Sequence, residues 1–316
     1  MSEPAIIVQN LVKTFQSRGE SIRAVDDLSF SVQRGSIFGL LGPNGAGKTT
    51  TLRIMTTLSR PAGGSVHVLG HDAVRAPLDV RKCIGVVIQE QAADLLLSVR
   101  DNLLTFARFH GRAGPAVRAR AEEVMTQFGI DDIADRKVQD LSGGMRRRVQ
   151  VAKMFTIDAP VIFLDEFSSG MDAILKRSVM DLLRAQAARG RTIVLTTQIL
   201  SEAEELCDDI LIINKGRRVA HGDLNALKLL TSRLYDVTLG FDRVPDDLQS
   251  IVAGYAPERM TVAHNTVELR MRDEESRVLD LVATLARRGR ILRVEIAGAS
   301  LEDVFVELTQ RTEHRP

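Results

Sequence analysis

The sequence has no tryptophan, two tyrosines and two cysteines, and aromatic residues make up 4% of it. Cys83 and Cys207 are too few for a disulfide framework and suit a reducing compartment, where they serve as small apolar fillers. No apolar run approaches the ~18 residues that a membrane-spanning helix needs. Any membrane association is therefore expected through the surface or a partner. The start, Met1-Ser2-Glu3-Pro4, carries an acid and lacks the apolar stretch of a signal peptide. Neither sign of charge dominates: 42 Lys and Arg face 41 Asp and Glu, for a net charge of +1. That balance gives no electrostatic basis for nucleic acid as the main partner. His67, His71, His110, His221, His264 and His314 show no metal-ligand spacing. There is no internal repeat and no low-complexity tract.

What the sequence does have is a phosphate-binding pattern. Gly42-Pro43-Asn44-Gly45-Ala46-Gly47-Lys48-Thr49 fits Gly, four residues, Gly, Lys, Ser/Thr. The apolar run Ile37–Leu41 before it reads as a buried strand, and Thr49–Leu58 after it reads as a helix. Glycines allow a tight turn that turns backbone N–H groups toward an anion, and the helix start adds partial positive charge. Lys48 is then expected to reach the β- and γ-phosphates, with the Thr49 hydroxyl facing Mg²⁺.

Around this motif the pattern is α/β. Ile6–Val8, the alternating Leu28, Phe30 and Val32, and Val66 with Val68 predict short strands. Ser17–Glu20 and Pro61–Gly64 read as turns. Cys83–Ile88 is a further apolar run, ending at Gln89. Residues 93–140 read as largely helical, with a stripe of Val117, Ala121, Val124, Met125 and Phe128 and a C-terminal cap at Gly129. Val161–Leu164 and Ile193–Leu195 are buried strands, and Val179, Leu182 and Leu183 share a helix face between them. Ser201 and Glu204 have the spacing of a capping box. Ile210–Asn214 and Arg217–Ala220 form a hairpin around Lys215-Gly216. Together these predict a mostly parallel sheet with an antiparallel β patch and a helical insert. Beyond about residue 228 the order becomes strand, helix, two strands, helix, strand, helix, close to a split β-α-β-β-α-β unit. The expected domains are therefore 1–228 and a small α+β domain, 229–316.

Two further segments carry chemistry. Leu141-Ser142-Gly143-Gly144-Met145 precedes an Arg-rich helix, so Ser142, Gly143 and Gly144 offer N–H groups to a second anion. Asp165 and Glu166 end a buried strand. Beside a phosphate loop, the first is placed to hold Mg²⁺ and the second to activate water. The run Arg146-Arg147-Arg148 reads as a solvated or interface helix face. Leu95-Leu96-Leu97 with Val99 either pack in the core or line a groove for a membrane partner's helix.

From about residue 5 to residue 228 these motifs, in this order and spacing, resemble the ATP-binding-cassette ATPases, a P-loop NTPase fold. The resemblance implies ATP with Mg²⁺ bound by Gly42 to Thr50, Thr50 included. It puts Phe15 against adenine and Gln89 beside the metal ion. It makes Leu141–Met145 the family's signature motif and Asp172, in Ser168-Ser169-Gly170-Met171-Asp172, a residue that couples two sites. Gln198 stands where most members carry a histidine contacting the γ-phosphate. Glutamine donates a hydrogen bond there without a charge, which is compatible with weaker hydrolysis. It is also shared with the antibiotic-export subgroup typified by daunorubicin-resistance ATPases. Ser142–Arg148, Ser201-Glu202-Ala203-Glu204 and Ser300-Leu301-Glu302-Asp303-Val304-Phe305 are similar to that subgroup too. Phe167 and Ala173 replace prolines that the family usually has, so the geometry of the coupling loop is less closely matched. The resemblance implies a head-to-tail dimer that energises a separate multi-span permease at the cytoplasmic face of the membrane, with Glu166 and Gln198 as catalytic residues. A soluble cassette that remodels ribosomes or DNA, and an import ATPase, are the alternatives. The first usually needs two cassettes or a long coiled coil, neither of which is present.

Overall fold

The computed structural model describes residues 3–17, 20–87, 93–231, 234–272 and 274–313. The chain divides into two compact units, Met1–Asp223 and Leu224–Pro316.

The larger unit is built on two sheets. The first pairs β1 (Ile6–Ser17) with β2 (Glu20–Val32) and with β4 (Gly63–Val68), and β4 pairs in turn with the short β5 (His71–Asp72), all antiparallel. The second has β10 (Arg217–Gly222), β9 (Asp209–Asn214), β3 (Ile37–Leu41), β8 (Thr192–Thr197), β7 (Val161–Asp165) and β6 (Ile84–Val87) in that spatial order. Every pairing in it is parallel except the β9–β10 hairpin. β3, β7 and β8 are buried along their whole length, which is why they read as continuous apolar runs and not as alternating ones.

Helices cover both faces of this sheet: α1 (Lys48–Met55), α2 (Pro77–Cys83), α3 (Val99–Phe109), α4 (Pro115–Gln127), α5 (Gly143–Lys153), α6 (Ala173–Ala188) and α7 (Leu200–Leu206). One apolar cluster joins α3, α4, α5 and α6 to Ile162, Leu164, Ile193 and Leu195. The opposite cluster joins Leu52, Ile54 and Met55 of α1 to Phe38, Leu40, Phe163 and Val194 and to the antiparallel sheet. Alternate residues of the same strands feed the two clusters, as period-2 side-chain geometry requires.

Three local expectations differ. The first helix stops at Met55, not Leu58, because the Thr56 hydroxyl bonds back to the Leu52 carbonyl and Thr57 takes a left-handed φ of 63°. Residues 93–98 lie outside any helix; α3 begins after Ser98, whose hydroxyl accepts from the Asp101 N–H. The capping box at Ser201 is absent. Helix α7 starts two residues earlier than a Ser201 cap would set it, with Ile199 as its N-cap, and its lead-in is fixed by Thr197, whose hydroxyl accepts from the Ile199 N–H at 2.9 Å and donates to Glu202 at 3.0 Å.

In the smaller unit, α8 (Leu224–Lys228) precedes β11 (Leu234–Phe241), α9 (Leu248–Ala253), β12 (Arg259–Ala263), β13 (Thr266–Arg272), α10 (Glu275–Ala286), β14 (Ile291–Gly298) and α11 (Leu301–Glu313). Its sheet runs β12-β13-β11-β14, antiparallel throughout, so β11 and β12 are parallel strands split by β13. That is the split β-α-β-β-α-β arrangement. Val237, Leu239, Phe241, Val267, Leu269 and Met271 face Leu248, Val252, Val278, Leu281 and Leu285 of the helices in its core.

Candidate functional site

Three adjacent parallel strands deliver the site. β3 ends at Leu41 and opens the loop 42–47; β8, beside it, ends at Thr197 before Gln198; β7, next along, ends at Asp165 before Glu166. Parallel strands all end on one edge of the sheet, and a crevice at that edge is where open α/β sheets bind ligands. The crevice here holds about 390 Å³ and is lined by Ala24, Asn44, Gly45, Ala46, Gly47, Lys48, Thr49, Thr50, Glu166 and Gln198.

The loop is held from behind. The Gly216 N–H donates to the Ala46 carbonyl and the Asp26 N–H to the Gly216 carbonyl, both at 2.9 Å. Gly47 has φ 105°, and a Cβ there would lie 2.4 Å from the Ala24 carbonyl oxygen. At Gly42 a Cβ would lie 2.4 Å from the Ile213 carbonyl oxygen. Neither position admits a side chain. Lys48 is buried and donates to the carbonyls of Gly42 at 2.7 Å and Pro43 at 3.1 Å. Burial pushes its pKa down, against the charges of Glu166 and Asp165. A buried ammonium curled onto its own loop can be stabilised by a phosphate that replaces those carbonyls.

Asp165 is fully buried. Its Oδ1 accepts from the Thr196 hydroxyl at 2.5 Å and from the Thr49 hydroxyl at 3.4 Å. Its Oδ2 is buried without a hydrogen-bond partner. A buried carboxylate oxygen in that state is costly, and a divalent cation beside Thr49 would satisfy it. Among the described residues no cluster of three or more His, Cys, Asp or Glu could hold a metal alone. A cation here would therefore draw further ligands from phosphate and water, the usual habit of Mg²⁺.

Glu166 is half-buried and takes a left-handed backbone, φ 46°. Its N–H donates to the Thr196 carbonyl at 3.1 Å and to the Thr196 hydroxyl at 3.2 Å. Gln198 is exposed at the mouth of the crevice.

The remaining predicted residues that the structure describes do not line this crevice. Ser142 caps α5, its Oγ accepting from the Met145 N–H at 3.3 Å, and both Ser142 and Gly143 are exposed. Asp172 caps α6 through the Leu175 N–H at 2.9 Å; that backbone hydrogen bond leads the lowering of its carboxyl pKa. Phe15 is 44% exposed, with the Lys13 ammonium 5.0 Å from its ring centre. It pairs with Ile22, two residues from the crevice-lining Ala24. Gln89 lies outside the described residues. Leu95 packs against the core and Leu96 is 70% exposed, so that run divides between its two readings.

The reading of Arg146–Arg148 as a solvated or interface face is corrected at Arg147; Arg146 and Arg148 are half-buried. Arg146 donates to the carbonyls of Leu141 and Gln139, and Arg148 to those of Phe128 and Gly129. Arg147 is 6% exposed and donates to the carbonyls of Asp165, Glu166 and Phe167. Three guanidinium groups each satisfy main-chain acceptors, a use that charge patterning along the helix does not reveal. Thr196 also went unread; its position at the end of an apolar run was the available signal.

The family described as "ABC transporter" matches residues 25–169. The daunorubicin/doxorubicin resistance ATP-binding protein DrrA of Streptomyces peucetius is 36% identical over 313 residues, 96% of this chain and 92% of that protein. Nod factor export ATP-binding protein I of Ralstonia nicotianae is 37% identical over 320 residues, covering 98% and 95%. Among solved structures, a dimeric post-hydrolysis state of the ATP-binding cassette MJ0796, bound to ADP and Pi, superposes with a TM-score of 0.66 at 25% identity. It covers 69% of this chain and 98% of that one. With a glycine-rich loop ending in Lys48-Thr49, strand-end acids and a Ser-Gly-Gly helix start in the family's order, the chain belongs to the ABC transporter family as an ATP-binding, ATP-hydrolysing subunit.

Proposed function

We propose that this chain is the energising subunit of an exporter, working as a head-to-tail pair on a separate multi-span permease. The observation that carries the reading is that the signature cradle, Ser142 to Gly144, lies outside the crevice that holds the phosphate loop, Glu166 and Gln198. An exposed helix start with two glycines is useful as an anion site only if a phosphate from elsewhere reaches it. A second copy supplies that phosphate. Among the described residues no helix is long and apolar enough to cross a membrane, so the permease is taken as another chain at whose cytoplasmic face this one sits.

In this reading the amides of residues 42–50 and the Lys48 ammonium grip the triphosphate, Phe15 stacks on adenine, and Gln198 donates a hydrogen bond beside the γ-phosphate. Thr49, Asp165 and Gln89 would hold Mg²⁺, which would supply positive charge against the phosphate oxygens. The Glu166 carboxylate accepts a proton from the attacking water, an effect of about 10²–10⁴-fold in general base catalysis. Asp172 sits where the two copies meet and couples their sites. The larger unit, Met1–Asp223, is the ATP-binding domain, and the smaller, Leu224–Pro316, an accessory domain in place of the 228/229 division expected from the sequence. The names of the relatives, drug resistance and Nod factor export, point to a hydrophobic or amphiphilic exported compound such as a drug.

The test is co-expression with a co-encoded multi-span protein, purification of the membrane complex, and ATPase assays with candidate hydrophobic drugs. Co-purification with drug-stimulated turnover supports the reading. A chain that never leaves the soluble fraction and binds ribosomes or DNA instead would refute it.

A further inference from the structure

A buried guanidinium joins the start of α5 to the carboxylate end of β7. Arg147 Nε donates to the Phe167 carbonyl at 3.0 Å and Nη2 to the Glu166 carbonyl at 2.9 Å and the Asp165 carbonyl at 2.5 Å. Its Nη1 donates to Gln150 Oε1 at 2.9 Å, one turn along the same helix. Gly144, three residues earlier, sits so close to the same segment that a Cβ there would lie 2.7 Å from the Gly170 carbonyl oxygen. Helix α5 therefore meets residues 165–170 at two points.

Within the first of those contacts is Glu166, whose left-handed backbone costs about 1–3 kcal/mol for a residue with a side chain. Thr196 holds its N–H and Arg147 holds its carbonyl. With the peptides on both sides of its Cα pinned, the direction in which the carboxylate leaves the backbone is fixed.

We propose that Arg147 is a positioning residue for hydrolysis: it locks the Glu166 backbone to α5, so that a phosphate from a second copy docking at Ser142–Gly144 sets the carboxylate serving this copy's own nucleotide. The inference rests on the paired arrangement proposed above. It makes occupancy of one site felt at the other through one helix and one side chain. Charge compensation alone would not need this geometry. Burial pushes the guanidinium pKa down, and the charges of Asp165 and Glu166 oppose that; a lysine could serve the same end. Spanning three successive carbonyls needs the planar fork, which an ammonium lacks.

Arg147→Lys separates charge from reach, and Arg147→Gln removes the charge. Both are expected to bind ATP with KM unchanged, kcat down about tenfold or more, and the Hill coefficient for ATP falling toward one; both melt below the parent, because buried main-chain carbonyls lose a donor. A folded Arg147→Lys protein with parental kcat and cooperativity would overturn the linkage alone. So would kcat and KM failing together in step with the loss of melting temperature, the mark of a purely structural role. A parent that does not hydrolyse ATP, or does so only as a monomer, would overturn the paired reading and the linkage with it. A second measurement does not depend on either variant folding. An isotope-labelled Lys48→Ala copy is mixed with unlabelled Glu166→Gln copy and Mg-ATP, so that the labelled chain receives ATP only at its α5. Its peptides across 165–170 are expected to exchange amide hydrogens several-fold more slowly than without ATP; unchanged exchange in a dimer that has formed overturns the proposal.

Discussion

Gly143 and Gly144 are neighbours in the first turn of α5, and alanine at each should act in opposite directions on the nucleotide-free protein. At Gly144 a Cβ would meet the Gly170 carbonyl oxygen at 2.7 Å, a backbone atom that cannot swing away. Forcing an extra carbon into such a contact costs about 1–3 kcal/mol. At Gly143 a Cβ meets nothing within 4 Å. There alanine narrows the unfolded ensemble and improves helix propensity, a gain of about 0.4–1 kcal/mol. For a unit of this size each 1 kcal/mol moves the melting temperature by roughly 2–4 °C. Calorimetry without nucleotide should therefore show Gly144→Ala melting about 2–10 °C below the parent and Gly143→Ala level with or slightly above it. With a phosphate docking at Ser142–Gly144 as proposed, both should lose turnover in the assembled transporter, because a methyl at either position intrudes on that docking site. Equal stabilities for the two variants would refute the wedge between α5 and residues 165–170, and with it the geometry on which the Arg147 argument stands.

Glu166→Gln should leave Mg-ATP binding intact, reduce turnover by about 10²–10⁴-fold and accumulate a closed dimer by size-exclusion chromatography; near-parental turnover would remove Glu166 from the base role. Lys153 is buried with its ammonium 5.2 Å from the Phe106 ring centre, and burial pushes its pKa down to about 8, against the pull of Asp94. Between pH 8 and its ordinary value of 10.5, the unfolded chain binds the proton that the folded chain has released, so this residue's contribution to stability rises with pH. The stability of the parent relative to Lys153→Met should therefore improve by about 3 kcal/mol from pH 7 to pH 10.5. A difference that stays constant across that range, in urea titrations, would contradict the assigned shift.

The parts that were legible in the sequence share a property: each is local. The loop 42–49 carries its strand and helix on either side, and β3, β7 and β8 are short continuous apolar runs because both of their faces are covered. The acids at 165 and 166 were readable because they interrupt such a run. The parts that were not legible depend on contacts across the fold. Arg147 reaches carbonyls about twenty positions away, and nothing in an Arg-Arg-Arg run marks the middle one as buried. Thr196 meets Asp165 from the neighbouring strand, a pairing set by sheet order. The Ser201 capping box had the right spacing, but the Thr197–Glu202 hydrogen bond at the end of β8 starts the helix two residues earlier. The smaller unit's strand and helix order was readable from alternation. Its sheet order, β12-β13-β11-β14, follows from pairings that no local pattern states.

The central claim is that the amides of the β3–α1 loop and the Lys48 ammonium together grip a triphosphate. Titration calorimetry with Mg-ATP tests it most directly, on folded parent and folded Lys48→Ala protein side by side. Saturable heat is expected for the parent and none at matched concentrations for Lys48→Ala. A folded parent that gives no heat at millimolar Mg-ATP, or a Lys48→Ala protein with the parent's affinity, would contradict it.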